Sequence, residues 1–184
     1  CVAFPLGFPG ASVLIPADES HVTALAITPD GVVYGGTSGW ASHLFVAMFH
    51  GATGMALDMG TVEDCTACMA VCCGKSHFMA FLNGPAGGRI VRRTYEPTPF
   101  DLLQEWGFQR LPYDVCPVLD PGERVVHAVG DTPTDKAYLL TDKRLLEIDI
   151  TNGKSHVLGL LHGRGRIALG RRRTPADAAR PTSR

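Results

Sequence analysis

Four of the six cysteines in this 184-residue chain fall inside the nine residues CTACMAVCC (65–73). Structural zinc needs four ligands converging tetrahedrally, commonly from two Cys-x-x-Cys pairs carried on turns. A strand through this stretch instead points Cys65 and Cys68 to opposite faces and sends Cys72 and Cys73 apart in the same way. These positions align with Ala, Ile and Thr of the preceding segment, so the thiols read as buried packing rather than as a metal or redox centre. Their clustering is unlike the spread framework of a small disulfide-bonded domain, and the compartment stays undecided. GGTSG (35–39) has the glycines of a phosphate cradle, but no lysine and no helix follows, so it reads as a strand end with a loop. Histidines stand at 21, 43, 50, 77, 127, 156 and 162 without His-x-x-x-His or His-Glu-x-x-His spacing. No Gly-x-Ser-x-Gly nucleophile elbow occurs. The sequence thus calls for no cofactor.

The elements around these residues are short strands. VTALAIT (22–28) alternates, PDG (29–31) turns, and VVYGGT (32–37) runs back. After SGWAS, HLFVAMF (43–49) and MALDMG (55–60) follow, with HGATG between them. Four strands joined by hairpins make one antiparallel meander. The pattern restarts: a shift of 44 residues sets ALAIT (24–28) beside CMAVC (68–72) and Tyr34 beside Phe78. SHFMAFL (76–82) and RIVRRTY (89–95) are then the next two strands. A third copy follows as VVHAVGD (125–131), KAYLLTD (136–142), LLEIDIT (145–151) and SHVLGLL (155–161), where a shift of 104 sets Tyr34 beside Tyr138. GRIALG (165–170) reads as the first strand of one more copy. The expected class is all-β, built from four-stranded antiparallel meanders. The competing arrangements are a sandwich of hairpins and a β-rich solenoid.

A period of about 40–50 residues with four strands per unit resembles the β-propeller superfamily, in particular quinoprotein-like and kelch-like repeats. Those repeats often close the third strand with Asp-x-x-Thr-Gly, and HGATG (50–54) and DITNG (149–153) look like degraded forms of it. No Trp-Asp dipeptide occurs, and no kelch-type double glycine recurs in every unit. The resemblance implies a partial propeller over 21–170: units at 21–63, at 64–123 with an insertion at 96–123, at 124–163, and the start of another at 164–170. Residues 1–20 would be a lead-in or the end of a preceding blade. Propellers close with about four to eight blades. Three leave two sheet faces open, which predicts further blades from the same gene or another chain. The abrupt apolar start CVAFPLGFPG points the same way, to a fragment of something longer.

The resemblance also implies where a ligand would sit: on the loops between second and third strands and between blades. Those loops hold Trp40, Ser42 and His43, then Glu63 and Asp64, then Asp142, Lys143 and Arg144, then His162, Arg164 and Arg166. A Trp platform beside carboxylates and basic groups suits a sugar or a peptide. An ordinary solvated loop surface has the same composition. The function expected is a non-catalytic binding or scaffold module. The alternative is part of a propeller enzyme of the polysaccharide lyase or quinone-dependent dehydrogenase class, for which Asp64, His127 and Arg166 are the available channel residues.

Composition narrows the partners. Hydrophobic residues make up 45% and charged ones 19%, a globular balance, with 21 Gly and 13 Pro as turn punctuation. A net charge of −1 supplies no field toward nucleic acid or anionic lipid. No apolar run approaches the length of about 20 residues that a membrane-spanning helix requires. Within the insertion, PFDLLQEWGF reads as a short helix or as an outer strand with an elaborated loop, its aromatics Phe100, Trp106, Phe108 and Tyr113 capping the sheet or offering an edge to a partner. The Arg-rich end, 171–184, reads as a disordered tail.

Overall fold

The computed structural model describes residues 15, 17–50, 53–96, 112–161 and 165–170. A short 3-10 turn (Ala17–Glu19) leads into the first meander, β1 (His21–Ile27), β2 (Val33–Ser38), β3 (Ser42–His50) and β4 (Thr53–Val62). The second is β5 (Ala67–Cys73), β6 (His77–Gly84), β7 (Gly87–Thr94) and the two-residue β8 (Asp114–Val115). The third is β9 (Val125–Asp131), β10 (Lys136–Thr141), β11 (Arg144–Asp149) and β12 (Ser155–Leu160). Each sheet keeps its strands in chain order. All ladders are antiparallel. The Pro29-Asp30-Gly31 turn is closed by Thr28 and Val32, with Gly31 at φ +85°, a conformation open to glycine at little cost.

Two apolar cores lie between the three layers. The first joins Ala24, Tyr34, Leu44 and Val46 of the first sheet to Cys68, Val71, Cys73 and Phe78 of the second. The second joins Ala70, Cys72, Met79 and Phe81 of the second sheet to Val125, Ala128, Ala137 and Leu139 of the third. Contact between sheets concentrates on β1, β5 and β9 and falls away toward β4, β8 and β12. That concentration explains the small residues. A Cβ on Gly36 would sit 2.2 Å from the Cys68 sulfur, and one on Gly35 would sit 2.2 Å from the Phe45 ring on the opposite face. The double glycine of VVYGG lets the second sheet approach β2 at Gly36 and the Phe45 ring of its own sheet lie over Gly35.

The repeat is visible in the ladder irregularities. Each leading strand carries a one-residue bulge near its start, at Thr23, Met69 and Val126. A bulge turns every later side chain to the other face, so it fixes which positions correspond. Aligned on it, Val22, Cys68 and Val125 are equivalent, and so are Tyr34, Met79 and Tyr138. The shift of 104 between Tyr34 and Tyr138 holds. The shift of 44 between Tyr34 and Phe78 does not, because the bulge-aligned counterpart of Tyr34 is Met79. Phe78 instead faces Tyr34 across the layers, stacked with ring centroids 4.5 Å apart.

Side chains also tie each sheet to the next at one recurring place. Thr23 donates to the Cys68 carbonyl at 2.7 Å, and Ser38 accepts from the Cys68 amide at 3.1 Å. One junction further, Asn83 does both for Val125, at 2.8 and 3.0 Å. The structure thus repeats a donor–acceptor pair with different residue types.

Of the insertion, residues 97–111 lie outside the described residues, and with them the expected helix and Phe100, Trp106 and Phe108. Its far end supplies the outer strand β8, and Tyr113 lies half-buried against the first core with its hydroxyl donating to the Thr61 carbonyl at 3.3 Å. Residues 165–170, expected as a leading strand, belong to no strand and are mostly exposed. A strand needs a ladder partner, and none of the described segments supplies one there. The expected tail, 171–184, lies outside the described residues. Among the described residues no helix is long and apolar enough to cross a membrane.

Candidate functional site

Antiparallel connectivity puts the β2–β3, β6–β7 and β10–β11 turns at the end where the chain enters β1, β5 and β9. Backbone bonds knit this end together: Gly39 donates to the Thr66 carbonyl at 2.9 Å, and Gly88 donates to that of Glu123 at 2.7 Å. Trp40 stands here with 79% of its surface exposed. Its amide donates to the Asp18 carbonyl at 3.3 Å. Glu63 and Asp64 are exposed on the neighbouring turn, with Asp64 in the left-handed region at φ +54°. Lys143 is exposed on the β10–β11 turn. Arg166 is exposed on 165–170, outside the sheets. An indole face near carboxylates, with an ammonium at the same end, can stack on a sugar ring or an aromatic side chain and hydrogen-bond around its edge.

The remaining expected site residues are turned inward. Ser42 is fully buried and donates its hydroxyl to the Thr37 carbonyl at 2.7 Å. His43, 6% exposed, sits between two carboxylates. Its Nδ1 lies 3.1 Å from both Asp58 oxygens and its Nε2 lies 2.8 Å from Glu19 Oε2. Burial by itself would lower the imidazole pKa; the hydrogen bonds and charges of Asp58 and Glu19 outweigh it, and the pKa is raised above 6.5. With both ring nitrogens donating to carboxylates, the imidazolium fastens the Ala17–Glu19 turn to the first sheet. A raised folded pKa contributes stability that is complete below the unfolded value and is lost as pH climbs through the folded one. Urea midpoints of the wild type should therefore fall as pH rises above about 6.5, the ordinary value for histidine. The His43→Gln variant should lack that fall; parallel profiles for the two proteins would refute the clamp.

Arg144 is likewise an internal fastener. Its Nε and Nη2 donate to the two oxygens of Glu123 at 3.0 and 2.7 Å, and Nη2 also reaches the Val118 carbonyl at 3.3 Å. Glu123 has no exposed surface. It accepts further bonds from the Thr141 hydroxyl at 2.5 Å and the Asp120 amide at 2.9 Å. Burial would raise this carboxyl; its bonds to Arg144, Thr141 and Asp120 outweigh that and hold it below the usual carboxylate range. The group ties the end of the insertion to the third sheet and commits the Arg144 guanidinium to Glu123 and to the more exposed Asp120, 3.3 Å away.

The cysteines occupy the cores. Cys65 and Cys68 both face the first core, contrary to the expected divergence, because Cys65 precedes β5 and is not bound by strand alternation. Cys72 and Cys73 do diverge, into the second and first cores. Burial raises the thiols, Cys68 to about 12 and Cys73 to about 11, so they are uncharged at neutral pH. Among the described residues no three His, Cys, Asp or Glu side chains are placed to hold a metal.

Sequence reasoning missed Glu19, Asp58 and Glu123, the partners that absorb His43 and Arg144. A signal existed for Asp58: antiparallel pairing of β3 with β4, with His50 opposite Thr53, sets His43 opposite Thr61 and within reach of Asp58. No comparable signal pointed to Glu123, which reaches Arg144 across 21 residues of sequence. Comparison with protein-family models, with curated proteins and with solved structures gives no match for the chain.

Proposed function

We propose that the three meanders are blades of a β-propeller and that the chain is a non-catalytic binding module whose hairpin end receives a protein or glycan ligand. Support for the radial arrangement comes from layers that touch through their leading strands and lose contact outward. One observation carries the functional reading: Trp40 is 79% exposed on the hairpin end while Ser42, His43 and Arg144 are consumed by internal bonds. Exposed carboxylates at Glu63 and Asp64, with Lys143, give the surroundings of the indole their polar rim. Further blades come from the same gene or from another chain. On this reading Arg166 borders the same face.

The test is binding of the chain to immobilised glycans and peptides, compared with its Trp40→Ala variant. The variant should lose at least about tenfold in affinity, as removal of an aromatic anchor does, with an unchanged unfolding midpoint. Ligand binding indifferent to Trp40, or no binding to either class, would end this reading. Release of unsaturated sugar products or reduction of a quinone by the same samples would move the chain to the enzyme alternative.

A further inference from the structure

The junction between sheets is built from positions that recur, and the two end sheets display its two halves without a partner. On the leading strands, Cys68 and Val71 are 1% and 8% exposed because the first sheet covers them, and Val125 and Ala128 are 2% and 7% exposed because the second does. Their bulge-aligned equivalents on the first sheet are Val22 and Leu25, which are 40% and 61% exposed. Ile27, equivalent to the 3% exposed Cys73, is 63% exposed. On the first sheet the leading-strand edge of the face that receives a preceding sheet is therefore exposed, while Phe45 and Ala47, further across the same face, are 4% and 3% exposed.

The third sheet carries the complementary half. Ala24 and Tyr34 on the first sheet, and Ala70 and Met79 on the second, point toward the following layer and are buried by it. The equivalents on the third sheet are His127 and Tyr138, both only half-buried. Val129, equivalent to Cys72, is half-buried beside them. The Nδ1 atom of His127 is buried with no hydrogen-bond partner among the described residues.

We propose that a second copy of this chain covers these faces head to tail, the third sheet of each packing on the first sheet of the other. The inference rests on the propeller reading above and names the partner that completes it. Both halves of the junction belong to one chain, so two copies satisfy all four exposed faces with one kind of contact. Twice the three sheets of the described residues also falls inside the range of about four to eight at which such rings close. An assembly of this kind closes by a two-fold axis and leaves the hairpin end, with Trp40, free on each copy.

The internal junction supplies the coordinates for a test. A Cβ placed on Gly130 lies 3.0 Å from the Cβ of Cys72, within reach for a disulfide after a slight adjustment. The equivalent pair across the proposed contact is Ile27 of one copy and Val129 of the other. Mixing the Ile27→Cys and Val129→Cys variants under oxidising conditions should give a dimer whose cross-linked peptide joins positions 27 and 129. Neither variant should cross-link through its new cysteine when alone. Sedimentation of the wild-type chain should give twice 19.7 kDa, and Leu25→Asp, at an exposed position, should give a monomer with an unchanged circular dichroism spectrum. A monomeric wild type, a mass other than the dimer's, or an Ile27→Cys homodimer linked 27 to 27 would each overturn the proposal. Glycan or peptide binding by a monomer would leave the binding module standing, so the two readings fail separately.

Discussion

Arg144→Met lowers stability by about 3 kcal/mol, which for a chain of this size is a drop of about 6–12 °C in Tm. The substitution keeps the aliphatic stem over the sheet and removes the guanidinium. It leaves Glu123, with no exposed surface, holding only the Thr141 hydroxyl and the Asp120 amide. Breaking a wholly buried pair costs about 3–5 kcal/mol; the arginine side chain here is 18% exposed, which places the effect at the lower end. Glu123→Gln combined with Arg144→Met should recover part of the loss, because an amide keeps hydrogen bonds to Thr141 and Asp120 without a charge to strand. The pH dependence gives a second check. In the wild type the carboxyl pKa is depressed, so its contribution is present at neutral pH and is lost only as pH falls through that depressed value. Without the arginine the carboxyl titrates higher, and the gap between variant and wild type should narrow as pH falls toward about 4, the ordinary glutamate range. A gap that stays constant would show that packing, not charge, caused the loss.

Gly84→Ala should cost about as much, about 3 kcal/mol, the upper end of what an added methylene does in a tight site. A Cβ there would lie 1.8 Å from the Asp64 carbonyl oxygen and 2.9 Å from its carbonyl carbon. These are backbone atoms, and they cannot swing aside as a side-chain tip can. The turn they belong to already holds Asp64 at φ +54° and is pinned by Thr66 donating to the Asn83 carbonyl at 2.9 Å. Moving it breaks that bond. Gly39, one repeat earlier, meets the Asp18 carbonyl oxygen at 2.0 Å in the same arrangement. Gly39→Ala should cost less, because the Ala17–Glu19 turn can yield at the expense of the His43 clamp and the bond from the Trp40 amide to the Asp18 carbonyl. Gly159→Ala, which would meet nothing within 4 Å, should be neutral. Urea midpoints for the three variants decide it: equal losses at 84 and 159 would exclude the close approach as the cause.

The legible part of the fold lay in local patterns. The strand VVHAVGD was read to the residue as β9, and the PDG turn was read from its three residues alone. The outer strand β8 was legible only as one option, because two paired residues beyond a long insertion make no alternation to detect. The repeat itself was legible through Tyr34 and Tyr138, since both lie beyond the same bulge. It was misregistered by Phe78, because a bulge adds a residue without changing the apolar pattern that announces a strand.

The candidate site divided along the same line. The exposure of Trp40, Glu63, Asp64 and Lys143 was legible from their loops, since exposure follows from being at a turn. Ser42, His43 and Arg144 came from the same loops and the structure spends them on internal bonds.

By itself the sequence determined an all-β chain of repeated antiparallel meanders, because alternation and turn chemistry act between residues a few positions apart. Only the tertiary structure decided which polar side chains are free. The partners of His43 and Arg144 are brought in by register, bulges and connectors, and a one-residue change in any of these turns a side chain from solvent to core.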